Sequence, residues 1–266
     1  MIAAGKFAKA LSAIAAATLA LTACSSEADQ EAGTDEEHPL QSLVAADADP
    51  DERAAGAGTS MAMELGFDQV QVASDDELAE VRENASERAG ETEEMSVDPQ
   101  SCAPSLAALD WSPILASSDA TTRVDFGRSN FMGAGSIEVA GITEATGAEA
   151  EATDQVAAHR EAVEEITTNC NDLTMMLADE SEPDWAELEY TFSAEPIETE
   201  SGSGLLWQRY PTDEPEGQTT TALTLMTEHE GYMVMVAFIG SDEITDAEFQ
   251  DISEAVLSSA LGQLEQ

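Results

Sequence analysis

The sequence predicts an α+β domain in which an antiparallel sheet of about six strands carries two principal helices packed on one face. Short β-prone segments bounded by Gly, Pro, Asp or Ser follow one another through the second half of the chain. Two longer segments repeat apolar residues at helical spacing. Neither an internal repeat nor a heptad array is present. Consecutive strands joined by short turns pair antiparallel, so we expect one α+β domain over residues 38–266.

Residues 1–23 have the pattern of a secretory signal. Lys6 and Lys9 precede an uncharged, largely apolar run that ends at Ala23. At ~1.5 Å per residue this run is shorter than a hydrocarbon core of ~30 Å, which disfavours a transmembrane anchor. The run closes on Leu21-Thr22-Ala23-Cys24, which resembles the lipobox of bacterial lipoproteins. We therefore expect lipidation at Cys24 and a location on the outer face of the cytoplasmic membrane, with membrane contact through the lipid only.

Acidic residues dominate the rest of the chain. The sequence contains 55 Asp and Glu against 9 Lys and Arg, and no lysine follows Lys9. Residues 24–37 lack large apolar side chains, so we interpret them as a flexible acidic tether. A chain without a basic footprint is not expected to bind nucleic acid or an anionic membrane surface. Its self-repulsion predicts a stability that rises with salt.

The region before residue 100 has weaker patterns. Leu40 could start a short helix, and residues 67–72 could form a strand. Ser74-Asp75-Asp76-Glu77 has the spacing of a capping box and predicts a helix to residue 89, followed by an acidic connector to residue 100. Because its apolar stripe is thin, we interpret 74–100 as a surface helix and connector that could be mobile. Asp47-Ala48-Asp49-Pro50-Asp51 begins like a calcium loop but lacks the required Gly and Glu further on, so no metal site is predicted.

The middle of the chain predicts two strands between two helices. A short helix is expected at 102–109, with Pro104 near its start, and strands at 121–126 and 135–142. The segment 151–169 predicts an amphipathic helix whose apolar stripe comprises Val156, His159, Val163, Ile166 and Cys170.

The last hundred residues predict mostly strands. Candidates are 173–177, 185–192, 205–210, 219–227 and 232–239. Glu228-His229-Glu230-Gly231 is a hairpin signal. Residues 232–239 are apolar on both faces, as in a central covered strand. A second capping box, from Thr245 to Glu248, predicts the closing amphipathic helix.

The cysteine count predicts one disulfide. If Cys24 carries lipid, Cys102 and Cys170 remain in an exported chain, and a disulfide between them is the simplest account. Two free buried thiols are the alternative. Zinc binding is disfavoured, because two isolated cysteines lack a nearby His or a CxxC motif.

These motifs resemble those of actinobacterial lipoproteins with a PknH-like extracellular sensor domain. The residues that carry the resemblance are Pro99 to Pro104 around Cys102, and Thr168-Asn169-Cys170-Asn171-Asp172-Leu173. The resemblance implies a helix-backed sheet with a broad cleft that senses or binds a ligand, and it implies no catalytic residues. This chain lacks the cysteines for the second disulfide of the kinase sensor domains.

Few residues point to chemistry. Neither His38, His159 nor His229 has an evident serine or cysteine partner, and hydrolase, zinc-protease and phosphate-loop motifs are missing from the sequence. We expect no enzyme, no cofactor and no metal. Arginines are scarce after residue 88, and they either pair with neighbouring acids or form an anion site. The candidate ligand-binding residues are Arg123, Arg128, Trp207, Arg209 and Tyr210.

The sequence supports two main functional hypotheses. The first is a lipid-anchored ligand-binding or sensor protein with an apolar cleft on an uncovered sheet face, its ligand a small molecule or lipid. The alternative is an envelope interaction or structural protein that binds another protein through a sheet edge or the helix at 74–89. An envelope hydrolase comes third.

Overall fold

The computed structural model describes residues 40–89, 96–109, 112–117, 121–142, 148–179, 186–214 and 219–265. The expected signal peptide, the tether with Cys24, and His38 lie outside these ranges. Within them the chain forms seven α-helices and nine strands. No helix of the described part is long and apolar enough to cross a membrane.

A single antiparallel sheet of nine strands organises the described residues. Its order is β1-β3-β4-β9-β8-β7-β6-β5-β2. The strands are β1 Gln69–Val72, β2 Ser96–Asp98, β3 Thr121–Gly127, β4 Gly133–Gly141, β5 Asp172–Asp179, β6 Ala186–Glu198, β7 Ser203–Pro211, β8 Thr220–His229 and β9 Tyr232–Gly240. The α+β class and the antiparallel pairing are confirmed, but the expected number of about six strands is wrong. Short edge strands, notably β2 within the predicted acidic connector, account for part of the difference.

The helices are α1 Leu40–Leu43, α2 Pro50–Glu64, α3 Asp75–Ala89, α4 Ala103–Ala107, α5 Pro113–Ser117, α6 Ala148–Asn169 and α7 Ala247–Leu264. Helix α7 begins one residue later than the capping box predicted, with Asp246 at the N-cap. The hairpin between β8 and β9 is confirmed by its backbone, since Glu230 and Gly231 both have positive φ (51° and 79°). Two consecutive positive φ values are typical of the type I′ hairpin turn.

The two principal helices, α6 and α7, lie on opposite faces of the sheet. Helix α7 packs with α2 on the face that carries Ile137, Val236 and Leu225, which we call the α7 face. Helix α6 contributes Val156 to a core with Met233, and Ile166 to a core with Leu205. These residues point to the other side, which we call the α6 face. The expectation that both helices cover one face is therefore wrong. The central strands are apolar on both faces, so each face needs a covering layer.

Helix α2 occupies a segment for which the sequence analysis predicted no long helix. The Glu52 carboxylate accepts a hydrogen bond of 2.9 Å from the Asp49 backbone N–H at the N-cap, and Pro50 follows at the first helical position. The start of the calcium-like motif is therefore a helix cap. At the other end, Gly66 (φ 97°) forms a Schellman turn in which the Phe67 N–H donates to the Ala62 carbonyl. This turn directs Phe67 into the core, where it is fully buried.

The disulfide between Cys102 and Cys170 is confirmed. The Cα atoms are 5.8 Å apart, and both residues are buried among Val97, Ile166 and Phe192. It joins the start of α4 to the end of α6, as the apolar stripe of that helix predicted.

The capping box at Ser74 is confirmed too, with the Ser74 N–H donating to the Glu77 carboxylate over 2.8 Å. Leu78 is buried, and Arg82 Nε donates to the Leu115 carbonyl over 3.0 Å, so α3 is attached to α5.

Candidate functional site

The structure does not bring the five candidate ligand-binding residues together. Arg123 on β3 and Trp207 and Arg209 on β7 face the α6 side, as the strand register requires. Tyr210 follows Arg209 directly on β7, and because successive side chains of a strand point to opposite faces, it points to the α7 face. Arg128 lies in the turn after β3, over rings of the α7-face core. Arg123 and Arg209 are four strand spacings and six residues apart in register, roughly 19 Å across and 20 Å along the sheet.

Arg123 is the centre of a partly buried ionic cluster. Its Nη1 lies 2.6 Å from Glu138 Oε1, and its Nη2 lies 2.8 Å from Asp125 Oδ1. Ser112 Oγ donates to the second oxygen of Glu138, and it accepts the Leu115 N–H over 3.2 Å at the start of α5. Both carboxylates thus neutralise one cation while Ser112 links the cluster to α5. This arrangement matches the interpretation that scarce arginines pair with acids and hold strands in place.

Glu138 has an unusual environment for a carboxylate because its side chain is almost fully buried (1% exposed). Burial raises the pKa of Glu138, and although the charge of Arg123 and the hydrogen bond from Ser112 oppose this, the net direction is upward. Burial alone would lower the pKa of Arg123, but the charges of Glu138 and Asp125 outweigh it and raise that pKa. In this state the Arg123 charge and the Glu138 charge are paired with each other inside the fold.

Trp207 and Arg209 lie beside aromatic residues of the neighbouring strand β6. The ring centroids of Trp207 and Phe192 are 5.8 Å apart, and the Arg209 guanidinium carbon lies 5.6 Å from the centroid of Tyr190. Trp207 and Arg209 are half-buried, whereas Phe192 is buried against the disulfide core. We call Tyr190, Phe192, Trp207 and Arg209 the aromatic patch. Within the patch, Phe192 is part of the core, whereas Trp207 and Arg209 remain partly accessible to solvent.

Small side chains form a strip on the α6 face between the ionic cluster and the aromatic patch. Ser136, Ala237 and Thr224 are neighbours in register across β4, β9 and β8, next to Asp125 on β3. Ala222 lies two residues before Thr224 on β8, on the same face, and is the register partner of Trp207 on β7. Ala237 and Thr224 remain half-exposed, so helices α5 and α6 do not seal this part of the sheet. We call these four residues the small-residue strip. It spans β4, β9 and β8, and the residues at its two borders, Asp125 on β3 and Trp207 on β7, lie about 19 Å apart across the sheet.

Arg128 lies over the densest part of the core. The rings of Phe67, Phe126, Phe131, Phe238 and Phe249 form one cluster with centroid separations between 5.1 and 6.4 Å. The Arg128 guanidinium carbon lies 4.9 Å from the Phe67 centroid and 5.5 Å from that of Phe249, which is cation–π distance. Gly135 allows this packing, because an added Cβ would lie 2.2 Å from the Phe126 ring.

Other polar features give no better candidate. A surface cavity of about 270 Å³ is lined by Glu198, Thr199, Glu200, Gln250, Asp251 and Glu254. The described residues contain no group of three His, Cys, Asp or Glu side chains placed to hold a metal ion. Burial lowers the pKa of His159, whose Nδ1 lies 3.2 Å from the Ala108 carbonyl oxygen. His159 is therefore neutral at pH 7 and bonded to backbone.

Sequence reasoning missed Glu138, Asp125, Ser112 and Tyr190 as partners of the predicted residues. Hairpin arithmetic could have found the first: once β3 and β4 pair about their turn, Arg123 must oppose Glu138. The centre of that turn was not evident from the sequence. Ser112 reaches the cluster only through the packing of α5, for which the sequence holds no signal.

A scan against models of protein families and a search among curated proteins found no match to this chain.

Proposed function

We propose that this chain is an exported, lipid-anchored binding protein that holds a ligand on the α6 face and performs no catalysis. The small-residue strip carries this proposal. Its middle residues Ala237 and Thr224 are half-exposed, whereas Ser136 and Ala222 are buried. The strip has a charged border at Asp125 and an aromatic border at Trp207, which lie about 19 Å apart across the sheet. A small-residue floor between such borders can seat an elongated molecule, with polar contacts at one end and stacking at the other.

The charged and polar groups described on the α6 face support a binding function. Arg123 is paired with both Glu138 and Asp125, and His159 is neutral and bonded to backbone. The expected wholly uncovered face is wrong, since helices occupy both faces. Anchoring through Cys24 stays a prediction from the lipobox.

The experiment is native mass spectrometry of the full chain purified from its own host, paired with variants of the strip. Ala237→Gln and Thr224→Gln place longer side chains across it. Ser193→Gln on β6 is the matched control, because Ser193 is half-exposed on the α7 face. We expect a co-purifying small molecule or lipid that both strip variants lose and the control retains. Retention in the strip variants would refute this site, and recovery of a protein partner instead would favour the envelope interaction hypothesis.

A further inference from the structure

We propose that Arg128 forms a separate binding site for a monovalent carboxylate, at the turn between β3 and β4. The site is on the opposite side of the sheet from the small-residue strip and does not depend on it. It comprises the terminal nitrogens of one guanidinium held against the phenylalanine cluster.

The guanidinium is fixed by the rings beneath it. Its central carbon lies within 6 Å of three ring centroids, those of Phe67, Phe249 and Phe131. Its Nε atom is sealed from solvent and has no hydrogen-bond partner. A guanidinium held in this way has lost most of its rotamer freedom before any ligand arrives, which reduces the entropic cost of binding.

The other side of the guanidinium is available. Among the described residues, Arg128 has neither a carboxylate within ion-pair distance nor a hydrogen-bond acceptor for its side chain. Its terminal nitrogens are not sealed atoms, so they meet solvent. Arg123, by contrast, contacts two carboxylates. In a chain with 55 acids, a half-buried cation that none of the acids in the described ranges neutralises is an unsatisfied charge that an external anion would complete.

The chemistry of the site selects a carboxylate with a single charge. Two parallel N–H groups of a guanidinium match the two oxygens of a carboxylate. This fork geometry gives two directed hydrogen bonds to one ligand, which a spherical anion cannot match. The net charge of −46 opposes every further negative charge on the ligand, which disfavours sulfate and phosphate. The same turn carries Met132, whose side chain is 81% exposed, so an acid with an apolar group would find a compatible neighbour.

The test is an NMR titration of the full chain with sodium acetate, in which chloride keeps the ionic strength constant. The Arg128 Nε–H signal is assigned by its disappearance in Arg128→Met. We expect this signal to shift and saturate with acetate, and to respond roughly tenfold more weakly to chloride or sulfate. Arg128→Lys keeps the charge but not the fork, so its acetate-dependent thermal stabilisation should fall to the level of Arg128→Met.

Arg160→Met is the matched control, because Arg160 is an exposed arginine in a long ion pair of 3.8 Å with Glu228. It should leave the acetate response unchanged. A short glutamate peptide carries several negative charges, so it should bind no more tightly than acetate, and tighter binding would contradict the selection of a single charge. An Arg128 signal that ignores acetate, or that shifts equally with chloride at equal ionic strength, would overturn the proposal.

Discussion

Arg123 and Glu138 are directly opposed on neighbouring strands, with Nη1 and Oε1 2.6 Å apart and the Glu138 side chain almost sealed from solvent. We expect this pair to make the stability of the α6 face depend on pH. A buried carboxylate is costly unless its cation stays in place.

Arg123→Met should destabilise the fold by about 3 kcal/mol at neutral pH, because Glu138 is left buried without its cation. The pKa of Glu138 is already raised, and removal of Arg123 raises it further. A raised pKa means that the folded state binds the proton more tightly than the unfolded state does. The contribution of Glu138 to the free energy of unfolding therefore declines as pH rises from its ordinary pKa to the raised one. The loss in Arg123→Met should therefore be smallest in acid and largest at neutral pH.

Urea unfolding of the wild-type and variant chains across this pH range measures the difference. Arg160→Met is the control, since its exposed ion pair should be worth at most about 1 kcal/mol. A loss that does not change with pH would contradict this account of Glu138.

Gly135→Ala should destabilise the protein by about 2 kcal/mol, because the added Cβ would lie 2.2 Å from the Phe126 ring and 2.7 Å from that of Phe238. Gly262 lies in helix α7 with open space at its Cβ position, so Gly262→Ala should stabilise by about 0.5–1 kcal/mol. Thermal unfolding of both variants checks the pair. Equal effects would show that close packing at Gly135 is not the cause.

Removal of the disulfide through Cys102→Ala with Cys170→Ala should lower stability by roughly 4 kcal/mol in the chain-entropy model, because the crosslink closes a loop with a sequence separation of 68 residues. The measurement is the urea midpoint of the double variant. Reduced wild-type protein should unfold at a similar midpoint, and a double variant as stable as the oxidised protein would exclude a crosslink in solution.

Salt should stabilise the protein, because its net charge is −46 and the Debye length falls to ~3 Å in 1 M salt. Urea is the suitable denaturant, since it adds no ions of its own. We expect the unfolding midpoint to increase from dilute buffer to 1 M sodium chloride. An unchanged midpoint would show that self-repulsion contributes little to stability.

Cys24→Ser should release the protein from the membrane, because the sequence predicts Cys24 as the lipid attachment point. The measurement is partition of the protein between membrane and soluble fractions of its host, with incorporation of labelled fatty acid as the direct readout. Ser25→Ala beside it should leave both unchanged. Membrane retention of an unlabelled Cys24→Ser protein would indicate another anchor.

Local patterns explain which parts of the fold were predictable. The hairpin at Glu230, the capping box at Ser74 and the amphipathic stripe of α6 each depend on residues close in sequence. Helix α2 was missed because its buried side consists of small residues such as Ala54, Gly58 and Ala62, which leave no strong apolar stripe. The Asp49-Pro50 start and Gly66 were the available signals.

The sequence by itself determined the α+β class, the acidic surface, the pairing of two cysteines and the identity of the scarce arginines. Composition and local spacing are sufficient for these, because they follow from residue type and short-range geometry. Only the tertiary structure decided which face each arginine meets. Arg123 and Arg128 are five residues apart, yet one contacts two carboxylates and the other three phenylalanine rings. Strand register and the packing of distant helices assign those partners, and neither is encoded within a short stretch of sequence.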